Sequence, residues 1–356
     1  MSKAPDASRL RPGCEGVFTL RNFQFESGET LRELQVGYVQ YGALNAARDN
    51  LLLLVPGTGN LRHSAIGHVG PGRAYDTDHY CVICTDAIGG GTSSQPAHGL
   101  AGEFPRYTIR DMVHAQHEFV RDGLGMGDTP IAVLAGASMG GFQTLEWLVT
   151  YPGTVRNAVM LVPGWRAGNI LRLTTARMFD MIKLDAQWNS GRYTEQPLQG
   201  LGAAGRHYFP WTVTDEYLES VRREQLEVEA AAAGEWFQAW DAWNIMRRYE
   251  ASAAHDVSAP FGGDLKKALA QVTARVMVMP CAQDRLLGLH GAEEIAAGIR
   301  NVEYRPIDSL KGHLAWRAVP ESPQTRFVTR EVREFLGLPI VQNDANGAAS
   351  PLTGEG

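Results

Sequence analysis

Residues 131–151, IAVLAGASMGGFQTLEWLVTY, decide the fold. The apolar run 131–134 reads as a buried strand, and 141–151 as a helix that must end before Pro152. Between them lies Gly136-Ala137-Ser138-Met139-Gly140, a turn of small residues with a serine at its centre. A G-x-S-x-G pentapeptide alone is a weak signal. Set between a strand and a helix it describes a tight turn that holds the serine hydroxyl clear of the sheet, and only small neighbours fit such a turn. The hydroxyl then sits at a helix N-terminus, where the dipole favours developing negative charge.

The flanking sequence repeats the alternation. Segments 34–41, 51–55, 80–84 and 155–162 read as strands, and Thr108 can N-cap a helix running to 122. The run 51–55 ends at Pro56-Gly57-Thr58-Gly59, and the next ends at Asp86 and Gly89-Gly90-Gly91. Such alternation predicts a mostly parallel sheet flanked by helices, and the serine turn set within it resembles that of the α/β-hydrolase class. After Pro163 the pattern changes. Segment 165–269 shows no strand and carries six of the eight tryptophans, and 235–254 reads as one long helix. Strands resume at 275–279 and 302–306, and a closing helix spans 324–336. The expected organisation is an α/β-hydrolase core at 1–163 and 275–340, a helical lid insertion at 164–274, and a disordered tail at 341–356, rich in Gly, Ala, Asn and Ser.

A serine hydroxyl needs a base, and the base needs an orienting acid. In this fold class the chain order is serine, acid, histidine. Of ten histidines, six precede Ser138, and His207 and His255 lie in the insertion. His290 sits at the start of a helix, which suits a surface role. His313 follows the last strand and is the expected base. Asp284 follows the preceding strand and is the expected acid; Asp308, on the same loop as His313, is the competitor. An oxyanion needs two N–H donors. The backbone of Met139 should supply one, and Gly57 or Thr58 the other, with Thr58 preferred.

Four stretches then carry a family resemblance: GASMGGFQTLEWLVTYPGTVRNAVML (136–161), VGYVQYGALNAARDNLLLLVPGTG (36–59), TDAIGGGTSSQPA (85–97) and LDAQWNSGRYTEQPLQGLGAAGR (184–206). Together they resemble the homoserine O-acetyltransferase branch of the α/β hydrolases, over roughly residues 34 to 336. The resemblance implies a Ser138/Asp284/His313 triad, a helical lid over a deep tunnel, a small-molecule acyl substrate with acyl-coenzyme A as one donor, and a homodimer joined through the lid. Three departures bear on the substrate. The family places an Asp after the catalytic His to hold the substrate's amino group; Leu314 stands here, and an apolar side chain cannot pair with an ammonium. The lid arginine that meets the substrate carboxylate is approximated by Arg206, one position off, and Pro56 replaces a loop histidine. Ester hydrolysis is therefore the expected reaction and O-acyl transfer to an alcohol the alternative. A non-enzymatic binding protein would be expected to lack a triad member.

Composition narrows the rest. The net charge of −6 and the lack of a basic stripe disfavour nucleic acid and anionic membranes as partners. No apolar run approaches ~20 residues, and the N-terminus has no apolar leader, so a cytoplasmic protein is expected. Cys81-x-x-Cys84 lies in a strand, where residues three apart face opposite ways, so it reads as core rather than metal or redox site. No metal and no cofactor are expected. Trp236, Phe237, Trp240 and Trp243 read as helix packing or a dimer face, or else as the wall of an acyl pocket.

Overall fold

The computed structural model describes residues 13–320 and 322–340; the expected tail therefore lies outside the described residues. The core is an eight-stranded sheet in the order β1-β2-β4-β3-β5-β6-β7-β8. Its strands are β1 (Cys14–Gln24), β2 (Thr30–Tyr41), β3 (Leu51–Val55), β4 (Cys81–Thr85), β5 (Ile131–Ala137), β6 (Val155–Leu161), β7 (Arg275–Met279) and β8 (Val302–Tyr304). β1 and β2 are antiparallel, β2 joins β4 antiparallel, and every later pairing is parallel.

The parallel strands are apolar throughout because both faces are covered. Leu51, Leu53, Cys81 and Ile83 enter one core with residues of α1 (Ile109–Glu118), α2 (Met139–Thr150) and, further along the chain, α9 (His290–Gly298). Leu52, Leu54, Val82 and Cys84 enter the other, closed by Val328, Val332 and Phe335 of α10 (Pro323–Phe335). Cys81 and Cys84 thus belong to opposite faces, and burial pushes their thiols up to about 11 and about 12.

Between β6 and β7 the chain is helical: α3 (Asn169–Leu184), α4 (Leu198–Tyr208), α5 (Asp215–Ser220), α6 (Arg223–Gln238), α7 (Ala242–Ala254) and α8 (Leu265–Leu269). Met178, Ile182, Leu201, Phe237, Ile245 and Tyr249 give this segment its own core. Three of its tryptophans seat on glycines of the loops that follow β3 and β4. A Cβ on Gly59 would lie 1.7 Å from Trp236, one on Gly90 3.0 Å from Trp240, and one on Gly102 2.8 Å from Trp243. These aromatic side chains pack the helices onto the core.

Two expectations need correction. The helix expected over 235–254 is two helices, α6 and α7, because Asp241 takes extended backbone and its carboxylate accepts the N–H of Asn244 as an N-cap. The helix capped by Thr108 ends at Glu118 and passes into a π-turn, Phe119–Gly123. β1 was not anticipated: it is an edge strand in which Gly16, Phe18 and Leu20 turn inward, but Asn22, at φ +53°, interrupts the alternation before the buried Phe23. Among the described residues no helix is long and apolar enough to cross a membrane.

Candidate active site

Ser138 joins β5 to α2 with φ +59° and ψ −119°, a conformation that costs a non-glycine residue about 1–3 kcal/mol. The surroundings over-determine it. Its N–H donates to the Leu161 carbonyl on β6 at 3.0 Å, and its carbonyl accepts from Gly141 at 2.7 Å. The small neighbours are obligatory: a Cβ on Gly136 would lie 2.4 Å from the Gly140 carbonyl oxygen, and one on Gly140 2.5 Å from that of Val55.

The three residues expected to act together are brought together. His313, on a short 3-10 turn (Gly312–Trp316) after β8, places Nε2 2.7 Å from Ser138 Oγ. Its Nδ1 lies 2.7 Å from Asp284 Oδ2. Asp284, in the loop after β7, accepts the Leu286 and Leu287 N–H groups on Oδ1 at 2.8 and 3.1 Å. These bonds hold the side chain in line. A carboxylate can only accept, so Nδ1 carries the ring hydrogen and Nε2 is left to accept from the serine hydroxyl. Asp284 and His313 are buried, at 6% and 3% exposure, and Ser138 is half-buried. The competitors lie elsewhere: Asp308 is exposed, and His290 is 83% exposed beside Glu293 and Glu294.

The turn after β3 runs beside the serine. A Cβ on Gly57 would lie 3.7 Å from Ser138 Cβ. The Pro56 carbonyl accepts from Gln143 Nε2 of α2 at 2.8 Å. The Gly57 carbonyl accepts from Asn60 N–H at 3.1 Å and from Arg248 Nη2 of α7 at 2.9 Å. Thr58 Oγ1 is 3.1 Å from Ser252 Oγ of α7. Met139 is the first residue of α2, so its N–H has no intrahelical acceptor. A cavity beside the turn is bounded by Gly57, Ala137, His68, Tyr75 and Trp316. Burial lowers the His68 pKa, and its Nε2 lies 2.7 Å from the Trp316 carbonyl of the turn that carries His313.

Arg206 is not part of this cluster. It is exposed on α4 and lies over Gly202 and Gly234, and none of its described contacts reaches Ser138, Asp284 or His313. Leu314 is half-buried on the same turn as His313. Gln143, Arg248, Ser252 and His68 had no place in the sequence reading. The available signal was a row of polar residues four apart, Asn244, Arg248 and Ser252, along one face of a helix.

A family model for the alpha/beta hydrolase fold matches residues 50–313. Ethyl acetate hydrolase of Pseudomonas veronii is 30% identical over 318 residues, which span 84% of this chain and 90% of that protein. Homoserine O-acetyltransferase of Thermobifida fusca is 31% identical over 328 residues, spanning 81% of this chain and 86% of its own. Among solved structures, the acetyl esterase MekB superposes with a TM-score of 0.86 at 26% identity, covering 91% of this chain and 97% of that one.

Proposed function

The chain belongs to the alpha/beta hydrolase fold family, in the branch of the homoserine O-acetyltransferases and the ester hydrolases related to them, and on that premise we propose that it is a serine-dependent carboxylic ester hydrolase with Ser138 as nucleophile. The observation that carries the reading is the unbroken hydrogen-bond chain from Ser138 through His313 to Asp284. Ser138 Oγ adds to the ester carbonyl carbon while His313 Nε2 takes the hydroxyl proton. Asp284 holds the ring tautomer and faces the imidazolium charge. Backbone N–H groups of Met139 and of the Gly57–Thr58 turn receive the oxyanion. Collapse breaks the ester C–O bond, and His313 returns the proton to the departing alcohol. Water then adds to the acyl-serine with His313 as base, releasing the carboxylic acid and restoring the serine.

Leu314 favours water over an amino alcohol as the second nucleophile, because it offers an ammonium no partner beside the base. Acyl transfer from acyl-coenzyme A to an alcohol shares the first half-reaction and is the second reading, supported by the similarity to homoserine O-acetyltransferase. The test is a pair of assays, 4-nitrophenyl acetate without acceptor and acetyl-coenzyme A with and without homoserine. Turnover of the ester alone is expected. Thiol release that requires homoserine would move the assignment to acyl transfer. The reading also keeps a homodimer joined through the inserted helices, where Leu173, Leu184 and Val228 are exposed. Sedimentation velocity at micromolar protein checks this, and a monomer would exclude it.

A further inference from the structure

Three consecutive residues of the turn after β3 are gripped by buried side chains from outside that turn. Gln143 takes the carbonyl of Pro56, Arg248 that of Gly57, and Ser252 the hydroxyl of Thr58. Two of the three grips come from α7, where Arg248 and Ser252 stand four residues apart and so share a helix face. The direction of a peptide carbonyl fixes the direction of the next N–H, because in a trans peptide the two point opposite ways. Holding the Gly57 carbonyl therefore aims the Thr58 N–H.

Arg248 is unusual for a residue in such a position. It is completely buried, and its Nε and Nη1 have no acceptor among the described residues. Among the described residues, the Gly57 carbonyl accepts from Nη2, the Trp240 ring lies 5.2 Å from Cζ, and Tyr107 and Tyr249 face the guanidinium. Asp86, whose field reaches it, is paired with Arg62. Burial lowers the guanidinium to about 10, which still leaves it charged at neutral pH. An unpaired buried cation is expensive, and an apolar side chain at this α7 position would avoid the cost. Removing the partner of a developing anion is a different matter: a cation behind the donor peptide polarises it and strengthens its N–H.

We propose that Arg248, supported by Ser252, is a positioning residue of the oxyanion site: it orients and polarises the Gly57–Thr58 peptide so that the Thr58 N–H meets the charge that develops on the substrate carbonyl oxygen. The inference rests on the reading of Ser138 as nucleophile. It also makes the inserted helices part of the catalytic apparatus, since α7 supplies both groups.

The test compares Arg248→Met, Arg248→Lys and Ser252→Ala on 4-nitrophenyl acetate and against a trifluoromethyl ketone, which forms a tetrahedral adduct with an active-site serine. Arg248→Met is expected to lower kcat about 10²-fold with KM within about twofold, on the scale of losing one oxyanion donor. Ketone affinity should fall in proportion to kcat/KM. Arg248→Lys should recover part of both, and Ser252→Ala should show a few-fold loss of about the same pattern. Should the Met variant not fold, the Lys variant decides: parallel losses in kcat and ketone affinity support the role. Unchanged ketone affinity, or a loss confined to KM, overturns it. Ser138→Ala is run alongside. If it stays active, the proposed function falls; if it is inactive while Arg248→Met keeps the wild-type kcat, only the role of Arg248 falls.

Discussion

The turn that carries Ser138 and the turn that runs beside it are built in opposite ways. At Ser138 the backbone is held by adjacent strands and by its own next residues, through Leu161 and Gly141, with Gly136 and Gly140 leaving the necessary room. At Pro56–Thr58 the grips come from α2 and α7, and the α7 partners Arg248 and Ser252 lie 191 and 194 residues further along the chain. Ser138 is thus placed by the folding of the sheet and its first helices. Met139 is placed with it, whereas the Gly57–Thr58 peptide, the proposed second oxyanion donor, takes its grips from α7 when the inserted helices dock, through Trp236 and Trp240 on Gly59 and Gly90. Chemistry that needs both turns is therefore tied to a contact between two parts of the molecule with separate cores.

The comparison can be tested from either side. The largest effect is expected at the locally built turn: Ser138→Ala should lower kcat by about 10⁵–10⁶-fold with the melting temperature nearly unchanged. Asp284→Asn should follow, with a loss of about 10⁴-fold from a wrongly oriented imidazole, whereas Asp308→Asn, at an exposed position, should behave as wild type. On the other side, Gly59→Ala puts a methyl 1.7 Å from Trp236 and must displace it. A loss of kcat of about 10-fold is expected from the misplaced turn. Hydrogen exchange should rise over 223–254 and stay low over 131–150; equal change in both segments would contradict the comparison.

The smallest effect is in stability. His255, just past α7, packs its ring 4.7 Å from that of Phe142 on α2, and Glu146, Asp256 and Arg110 face it. Burial pushes its pKa down to about 3 from 6.5. Below pH 6.5 the unfolded chain binds a proton that the folded chain refuses, so stability is full above that pH and falls on acidification. Glu146, raised by burial, works in the opposite sense within the carboxylate range. Melting temperature measured from pH 7 to pH 5 should decline, and His255→Asn should flatten the slope; an unaltered slope would remove His255 as its cause.

Much of the locally built turn was legible in sequence. Gly136 to Gly140 are consecutive, Ser138 and Asp284 each follow an apolar strand, and His313 follows the short last strand, in a fixed chain order. Cys81 and Cys84 were legible for the same reason, since strand periodicity alone sends them to opposite faces. Arg248 and Ser252 were not, because no spacing rule relates a helix of the insertion to a turn nearly two hundred residues earlier. The break at Ala239–Asp241 was missed because the tryptophans on either side continue a helical spacing, while the N-cap that interrupts it is one aspartate. Arg206 approximates the family's lid arginine in sequence position only; the packing of α4 on α6 sets its surroundings, over Gly202 and Gly234.

The most direct measurement is mass spectrometry of the rapidly quenched protein after mixing with 4-nitrophenyl acetate. An acetyl group is expected on the peptide that contains Ser138, forming within the burst of 4-nitrophenol and lost as the ester is exhausted. Turnover with no acetylated Ser138, or with the label on another residue, would contradict the assignment of Ser138 as the nucleophile.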